Sequence, residues 1–296
     1  GLPAIPSRPQ ILATAMADSP LIGIYPTMVP DYYVAYEKWV AQAGGRTVVL
    51  PRFFAHEPQA LERLFASLNG LLIPGGGDFV GNGSVDAMVA RATRANREGD
   101  YFPIWGTCLG FEYLVDILGG PGALVPRAPG DPIVPGFDSE LLPRALNLTA
   151  AVRGSRMLGG ASDALLRWAA RENVTYNMHH RGVEPASFAS NPRLDSSMSL
   201  LASSTDRRGR PFVAAFEGDN LPFYGVQFHP EKIEFVPPSR YEPNIPRTPH
   251  AAALSRHLGS FLVSEAAKSL HRAATRTPTA ANPFVWPSPS AVSHVR

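Results

Sequence analysis

Cysteine is almost absent from this 296-residue chain, which contains a single one, Cys108. A lone cysteine excludes an intrachain disulfide framework and any metal cluster built from several cysteines. Long apolar runs are missing too, since none approaches the ~20 residues of a membrane-spanning helix. With 27 basic and 25 acidic side chains, the chain lacks an excess of either charge and shows no basic stripe. We therefore expect no membrane or nucleic-acid partner.

Targeting signals are also scarce. The first ten residues lack the charged segment followed by an apolar one that marks a signal peptide. A mature chain that has lost its signal peptide would lack this pattern too. Three Asn-x-Ser/Thr sequons begin at Asn82, Asn147 and Asn173. Because such tripeptides arise by chance about once in ~100–200 residues, three of them favour an exported, glycosylated protein modestly.

Short apolar runs alternate with helical patterns in the first part of the chain. Continuous apolar strands separated by helices are typical of a parallel sheet that is covered on both faces. The pattern predicts an α/β fold of three layers, with a mostly parallel central sheet flanked by helices. The predicted strands are 21–25, 47–50, 71–73 and 101–105, and the predicted helices are 32–43, 58–68, 85–97 and 110–118.

The pattern loosens after residue 119. A long surface excursion is expected over 121–143, a hairpin turn at 205–209 and a final helix over 251–270. The chain shows no internal repeat and no second composition regime, so a single domain is predicted. We expect an N-terminal extension at 1–18, the domain at 19–270 and a Pro/Ser/Thr-rich tail at 271–296. Further strands are predicted at 145–152, 173–178, 198–203, 212–216 and 223–227.

The surroundings of Cys108 point to a nucleophile. Gly106 and Gly110 flank it in Gly-Thr-Cys-Leu-Gly, directly after a predicted strand and before a helix. This is the spacing of a nucleophile elbow, where glycines permit a sharp turn that projects the central side chain. A helix N-terminus also favours the thiolate and is expected to lower the thiol pKa. The alternative is a buried structural cysteine.

A base and its orienting acid are predicted downstream. The apolar strand at 224–228 runs into His229-Pro230-Glu231. Side chains two residues apart on an extended segment point the same way, so Glu231 would hold one imidazole nitrogen while the other faces Cys108. This is the logic of a nucleophile–base–acid triad. The alternative is a strand-end histidine followed by a surface carboxylate.

Two backbone amides are predicted to stabilise an oxyanion. One belongs to Leu109, directly after the nucleophile. The other belongs to Gly76, in the Pro-Gly-Gly-Gly turn over 74–77, where backbone without side chains allows close approach to a carbonyl oxygen. The alternative for this turn is a phosphate cradle, although it lacks the Lys-Ser/Thr of a P-loop. No ligand cluster for a metal or cofactor is present, and we expect neither.

Together these motifs carry a resemblance to a known family. Residues 74–77, 106–112 and 225–231 resemble the class I glutamine amidotransferase-like superfamily and, within it, the γ-glutamyl hydrolase family. The resemblance covers about residues 20–266. It implies a flavodoxin-like α/β fold and a cysteine peptidase that cleaves γ-glutamyl bonds in poly-γ-glutamates, folates among them, without a cofactor.

The resemblance implies roles for individual residues. It makes Cys108 the nucleophile, His229 the base and Glu231 its orienting acid. A second active-site histidine is implied at His179, with the adjacent His180 as the alternative.

Substrate contacts are implied as well. Tyr36 and Glu112 match positions that help to hold the glutamyl group; the alternatives are a core aromatic for Tyr36 and a helix-dipole carboxylate for Glu112. The implied substrate is a polyanion, and the chain has 24 Arg against three Lys. Arg–carboxylate pairs are therefore expected near the cleft, with Arg181 as the predicted one because it follows His179 closely.

Two other functions stay open. A glutaminase subunit that delivers ammonia to a partner synthase would share the elbow, but such elbows continue with His-Gln or Gln-Gln where this chain has Phe111-Glu112. A non-catalytic relative would retain the pocket, although it would have no reason to retain all three triad residue types. The resemblance further implies a homodimer, a lysosomal, vacuolar or secreted location, and a glycan at Asn147.

Overall fold

The fold is described from a computed structural model of the chain. The residues that the structure describes are 19–26, 33–51, 57–76, 83–120, 123 and 136–272. Asn82, the predicted extension, nearly all of the predicted tail and most of the predicted excursion therefore lie outside the described residues.

The described residues form strands and helices in alternation. The strands are β1 (Leu21–Ile24), β2 (Arg46–Val49), β3 (Gly70–Ile73), β4 (Ile104–Thr107), β5 (Leu142–Arg144), β6 (Asn147–Leu148), β7 (Thr175–Asn177), β8 (Met198–Thr205), β9 (Pro211–Gly218) and β10 (Phe223–Val226). The helices are α1 (Tyr33–Gln42), α2 (Pro58–Ser67), α3 (Ser84–Arg97), α4 (Leu109–Gly119), α5 (Asp163–Arg171), α6 (Pro185–Ser190), α7 (Pro192–Asp195), α8 (Lys232–Phe235) and α9 (Pro249–Ala266).

A central eight-stranded sheet organises these elements, in the order β2-β1-β3-β4-β10-β9-β8-β6. The strands from β2 to β10 in this order run parallel, and β9, β8 and β6 continue the sheet antiparallel. Strands β5 and β7 form a separate antiparallel pair. The prediction of a mostly parallel sheet is confirmed. The carboxyl ends of β3, β4 and β10 meet at one edge, where open parallel sheets bind ligands.

Apolar side chains pack on both faces of the sheet, which confirms the predicted three layers. One buried cluster joins α1 and α9 to the sheet and includes Trp39, Leu258 and Trp105. The other joins α2, α3 and α4 to the opposite face and includes Phe65 and Phe111. Strand β3 contributes to both clusters, since successive side chains on a strand point to opposite faces.

The predictions fail in several places for physical reasons. The strand predicted over 145–152 is wrong beyond Leu148, because residues 150–154 form a 3-10 helix. Strand β4 begins at Ile104 rather than Tyr101, and Pro103 before it has no N–H to donate to a ladder. Helix α9 ends at Ala266 rather than at residue 270, where the predicted final helix ended. Helices α5 to α8 were not predicted: α5 buries only a narrow stripe, and α6, α7 and α8 have four to six residues each.

Candidate active site

Cys108 occupies a strained turn between β4 and α4. Its φ of 51° and ψ of −104° are unusual for a residue with a side chain, and such a conformation costs about 1–3 kcal/mol. Two hydrogen bonds maintain it: the Cys108 N–H donates to Val226 O and its carbonyl accepts from Glu112 N, both at 2.9 Å. The structure thus has the predicted strand–turn–helix elbow.

The two flanking glycines allow backbone to pack directly on backbone. A Cβ on Gly106 would lie 2.5 Å from Gly110 O, and a Cβ on Gly110 would lie 1.9 Å from Ile73 O. Helix α4 therefore begins in contact with the ends of both β3 and β4. This close packing places the turn that follows β3 beside Cys108.

His229 and Glu231 form a buried pair. Nδ1 of His229 lies 2.7 Å from Oε1 of Glu231, and only 2% and 1% of the two residues are exposed. The His229 backbone N–H donates to Tyr176 O at 2.8 Å. Glu231 has helical dihedral angles, φ −65° and ψ −28°, rather than the extended ones expected from the sequence. The predicted contact nevertheless exists.

Gly75 is the point at which the site converges. A Cβ on Gly75 would lie 2.5 Å from Cε1 of His229, 3.2 Å from the Tyr36 hydroxyl oxygen and 3.4 Å from Cβ of Cys108. Only glycine fits between these three groups. The Gly75 N–H donates to the Tyr36 hydroxyl at 2.8 Å. The amide of Gly76, which is the predicted oxyanion donor, is the next one along the turn.

Tyr36 is buried beside the oxyanion turn. It is completely buried, and its hydroxyl oxygen accepts a hydrogen bond from the Gly75 N–H. Burial, together with the negative charge of Glu231, raises the pKa of Tyr36 well above its usual value. Tyr36 therefore contacts the active-site backbone, and its contact with a glutamyl group stays a prediction.

The electrostatics of Cys108 correct a second expectation. Burial raises the pKa of the thiol, and the carboxylates of Glu112 and Glu231 raise it further. Lys232 and the Leu109 amide act in the opposite direction, so the helix N-terminus contributes as expected but is outweighed. The Cys108 thiol accordingly lies 3.7 Å from Met178 O, to which it donates.

Glu112 and Arg181 are brought together as a partly buried ion pair. Nε of Arg181 lies 2.9 Å from Oε2 of Glu112, with 27% of the arginine side chain exposed against 3% of the glutamate. Gln227 donates from Nε2 to the other Glu112 oxygen at 3.2 Å. Burial raises the pKa of Glu112, although Arg181 and Gln227 oppose the shift. Arg181 is thus the more exposed member of the pair.

His179 and His180 differ in their packing. Nδ1 of His179 lies 2.7 Å from Arg181 O; since a carbonyl only accepts, this nitrogen carries the proton. Its Nε2 is buried without a hydrogen-bond partner among the described residues. Burial lowers the pKa of His179 to about 3. His180 instead pairs with Glu140 at 2.6 Å and is partly exposed. His179 is the buried one of the two and directly follows Met178, whose carbonyl oxygen accepts from the Cys108 thiol.

Lys232 is a charged residue near the site that sequence reasoning missed. It directly follows Glu231 but is only 3% exposed. Its ammonium pairs with Glu242 and lies 5.8 Å from the centre of the Tyr176 ring. The only sequence signal was its position after the triad acid, which does not show whether a lysine is buried. The contacts of Gly75 and Gln227 were missed as well, because the sequence does not show which distant residues they meet.

Three further observations concern metal binding, membrane spanning and glycosylation. Among the described residues, no group of three or more His, Cys, Asp or Glu could hold a metal ion. None of the described helices is long and apolar enough to cross a membrane. The predicted sequon residues Asn147 and Asn173 are both exposed.

Comparison with known proteins shows the family of the chain. A family model described as Glutamine amidotransferase class-I matches residues 28–237, a span that includes Cys108, His229 and Glu231. The chain belongs to this family. Within it, the chain groups with γ-glutamyl hydrolases: it is 34% identical over 248 residues to Gamma-glutamyl hydrolase of Mus musculus, covering 81% of this chain and 73% of the mouse protein. The Rattus norvegicus protein of the same name is 33% identical over 251 residues, covering 83% and 74%.

A solved structure supports the class I amidotransferase fold. The glutaminase domain of CTPS from Trypanosoma brucei, with bound acivicin, matches with a TM-score of 0.56. The match covers 87% of this chain and 98% of that domain at 17% identity, so it shows the shared fold alone.

Proposed function

We propose that this family member is a cysteine hydrolase that cleaves γ-glutamyl isopeptide bonds in poly-γ-glutamates, including folylpoly-γ-glutamates. The observation that carries the proposal is the convergence of Cys108 and the His229–Glu231 pair on Gly75. The similarity to proteins named Gamma-glutamyl hydrolase supports the choice of bond. Cys108 is the nucleophile, His229 the base and Glu231 the acid that fixes the orientation of His229.

The proposed reaction proceeds through a thioester. His229 accepts the Cys108 proton as the sulfur attacks the γ-carbonyl carbon, because burial keeps the resting thiol protonated. The amides of Gly76 and Leu109 stabilise the oxyanion. When the C–N bond breaks, His229 returns its proton to the departing amine. His229 then deprotonates a water molecule, which attacks the carbonyl carbon of the thioester. The C–S bond breaks, the carboxylic acid leaves, and His229 returns the proton to the sulfur of Cys108.

Substrate recognition in this proposal uses the groups beside the nucleophile. The partly exposed Arg181 guanidinium binds a substrate carboxylate, and Glu112 holds it in position. Nε2 of His179 accepts from a substrate N–H, since it is buried without a partner among the described residues. Tyr36, whose hydroxyl accepts from the Gly75 N–H, lies beside the same turn.

The test is incubation of the full chain with pteroylpentaglutamate, followed by chromatography of the products. We expect shortened pteroylglutamates and free glutamate or γ-glutamyl peptides from the wild-type protein. Cys108→Ala should reduce turnover by at least about 10³-fold while still binding the substrate. Parallel incubation with glutamine distinguishes a glutaminase: ammonia release without cleavage of the pentaglutamate would contradict the proposal, as would substantial cleavage by Cys108→Ala.

The setting of the enzyme is part of the proposal. We place it in a lysosome or vacuole, or outside the cell, as a glycosylated homodimer built from one domain over residues 19–270. Support comes from the exposed sequon residues Asn147 and Asn173. A lone cysteine is also suited to an oxidising compartment, since the chain has no second thiol with which the nucleophile could form an intrachain disulfide.

A further inference from the structure

The Tyr36 hydroxyl lies between the oxyanion turn and the acid of the triad. Its oxygen accepts from the Gly75 N–H at 2.8 Å, and the position of a Cβ on Gly75 is 3.2 Å from that oxygen. The negative charge of Glu231 acts directly on the same hydroxyl. The side chain reaches this point from α1, on which it is completely buried.

The hydrogen-bonding needs of the neighbouring groups match this position. Oε1 of Glu231 is engaged by His229, whereas Oε2 is buried with no hydrogen-bond partner among the described residues. A tyrosine hydroxyl accepts through its oxygen and donates one hydrogen. With the oxygen accepting from Gly75, the Tyr36 hydroxyl still has its hydrogen to donate, and the nearby carboxylate of Glu231 interacts with this hydroxyl.

We propose that Tyr36 is a positioning residue that holds the Gly75–Gly76 turn at the distance from Cys108 and His229 that oxyanion stabilisation requires. The role rests on the proposed function. It differs from the contact with the glutamyl group that the resemblance implied. Because Gly75 lies against Cε1 of His229 and Cβ of Cys108, a shift of this turn moves the Gly76 amide relative to both reacting groups.

A kinetic experiment separates positioning from substrate binding. Tyr36→Phe keeps the ring in the core and removes only the hydroxyl. We expect kcat on pteroylpentaglutamate to fall roughly 10- to 100-fold with KM within about twofold, because misplaced oxyanion donors act mainly on the transition state. A raised KM with unchanged kcat would mean a direct substrate contact and would overturn the proposal, as would unchanged values of both.

A second measurement tests the hydrogen bond without relying on activity. Hydrogen exchange of the Gly75 amide, followed by mass spectrometry of peptides covering 70–76, should be faster in Tyr36→Phe than in the wild type. Unchanged exchange would overturn the proposal. If the wild type fails to cleave any γ-glutamyl chain, the proposed function fails, and this exchange measurement still decides whether Tyr36 holds the turn.

Two further variants serve as comparison and control. Gly75→Ala introduces a Cβ 2.5 Å from the His229 ring and should reproduce the loss of kcat by displacing the same turn; a fully active variant would count against the proposal. Tyr101→Phe is the matched control, because Tyr101 donates its hydroxyl to Glu265 ahead of β4, at the edge of the sheet away from Cys108. Its kcat and KM should equal those of the wild type.

Discussion

At the scale of single residues, Cys108 has an environment that resists ionisation. Burial and the two carboxylates nearby raise the pKa of the thiol. The groups that favour a thiolate are Lys232, one of only three lysines in the chain, and the Leu109 amide. In the proposed mechanism, the thiol is therefore activated by proton transfer to His229 when substrate is bound, and the positive charge of Lys232 favours this transfer.

Lys232 and its partner Glu242 should have opposite effects on the thiol. Lys232→Met removes the favourable charge and should raise the Cys108 pKa, whereas Glu242→Gln leaves the ammonium unneutralised and should lower it. The measurement is the rate of Cys108 alkylation by iodoacetamide at one fixed pH, which should fall in Lys232→Met and rise in Glu242→Gln. Lys268→Met is the control, because Lys268 is half exposed and pairs with Glu265. Rates that change in the same direction in the first two variants would contradict this account.

At the scale of elements, the site depends on how α4 meets the sheet. The first turn of α4 packs against the end of β3 through Gly110, with no side chain between them. This contact brings the Pro74–Gly76 turn beside the elbow, so that residues more than thirty positions apart share one site. The glycine is required for packing here, since it has no unusual backbone angle.

Gly110→Ala should therefore lower the free energy of unfolding strongly. A Cβ at this position would lie 1.9 Å from Ile73 O, and overpacking against backbone of this kind costs about 3 kcal/mol or more. Gly154→Ala is the matched control, because nothing lies within 4 Å of a Cβ there, and its unfolding free energy should stay within about 0.5 kcal/mol of the wild type. Urea denaturation measures both; equal stabilities would refute the packing argument.

The sequence predicted the elements that combine a strong local pattern with a buried face. Strands β1 and β3 and helix α3 were predicted to within one residue at each end, because apolar spacing and glycine turns mark them. The elbow at Cys108 and the contact of His229 with Glu231 were predicted from motifs of the same local kind. The contacts of Tyr36 with Gly75 and of Lys232 with Glu242 were not predicted, since each depends on how distant segments pack. The Cys108 pKa was misjudged for the same reason: burial is a property of the whole fold.

At the scale of the whole molecule, the buried neutral His179 links stability to pH. Its folded pKa is about 3, below the ~6.5 of an unfolded histidine. The folded state thus binds fewer protons than the unfolded state between these values, and stability falls as pH decreases through this range. The contribution is fully present above pH ~6.5. In an acidic lysosome or vacuole, the proposed location, part of it would be lost.

Replacing His179 should flatten this dependence. At pH 5 the wild type should have lost about 2 kcal/mol of unfolding free energy relative to pH 7 through His179 alone, and His179→Asn should lack this loss. Urea unfolding at pH 7, 6 and 5 measures the difference in slope. Glu112, whose raised pKa acts in the opposite direction, is common to both proteins and cancels. His180→Asn is the control, because His180 is partly exposed and paired with Glu140. Parallel pH profiles for the wild type and His179→Asn would show that His179 is not the residue that couples the fold to acid.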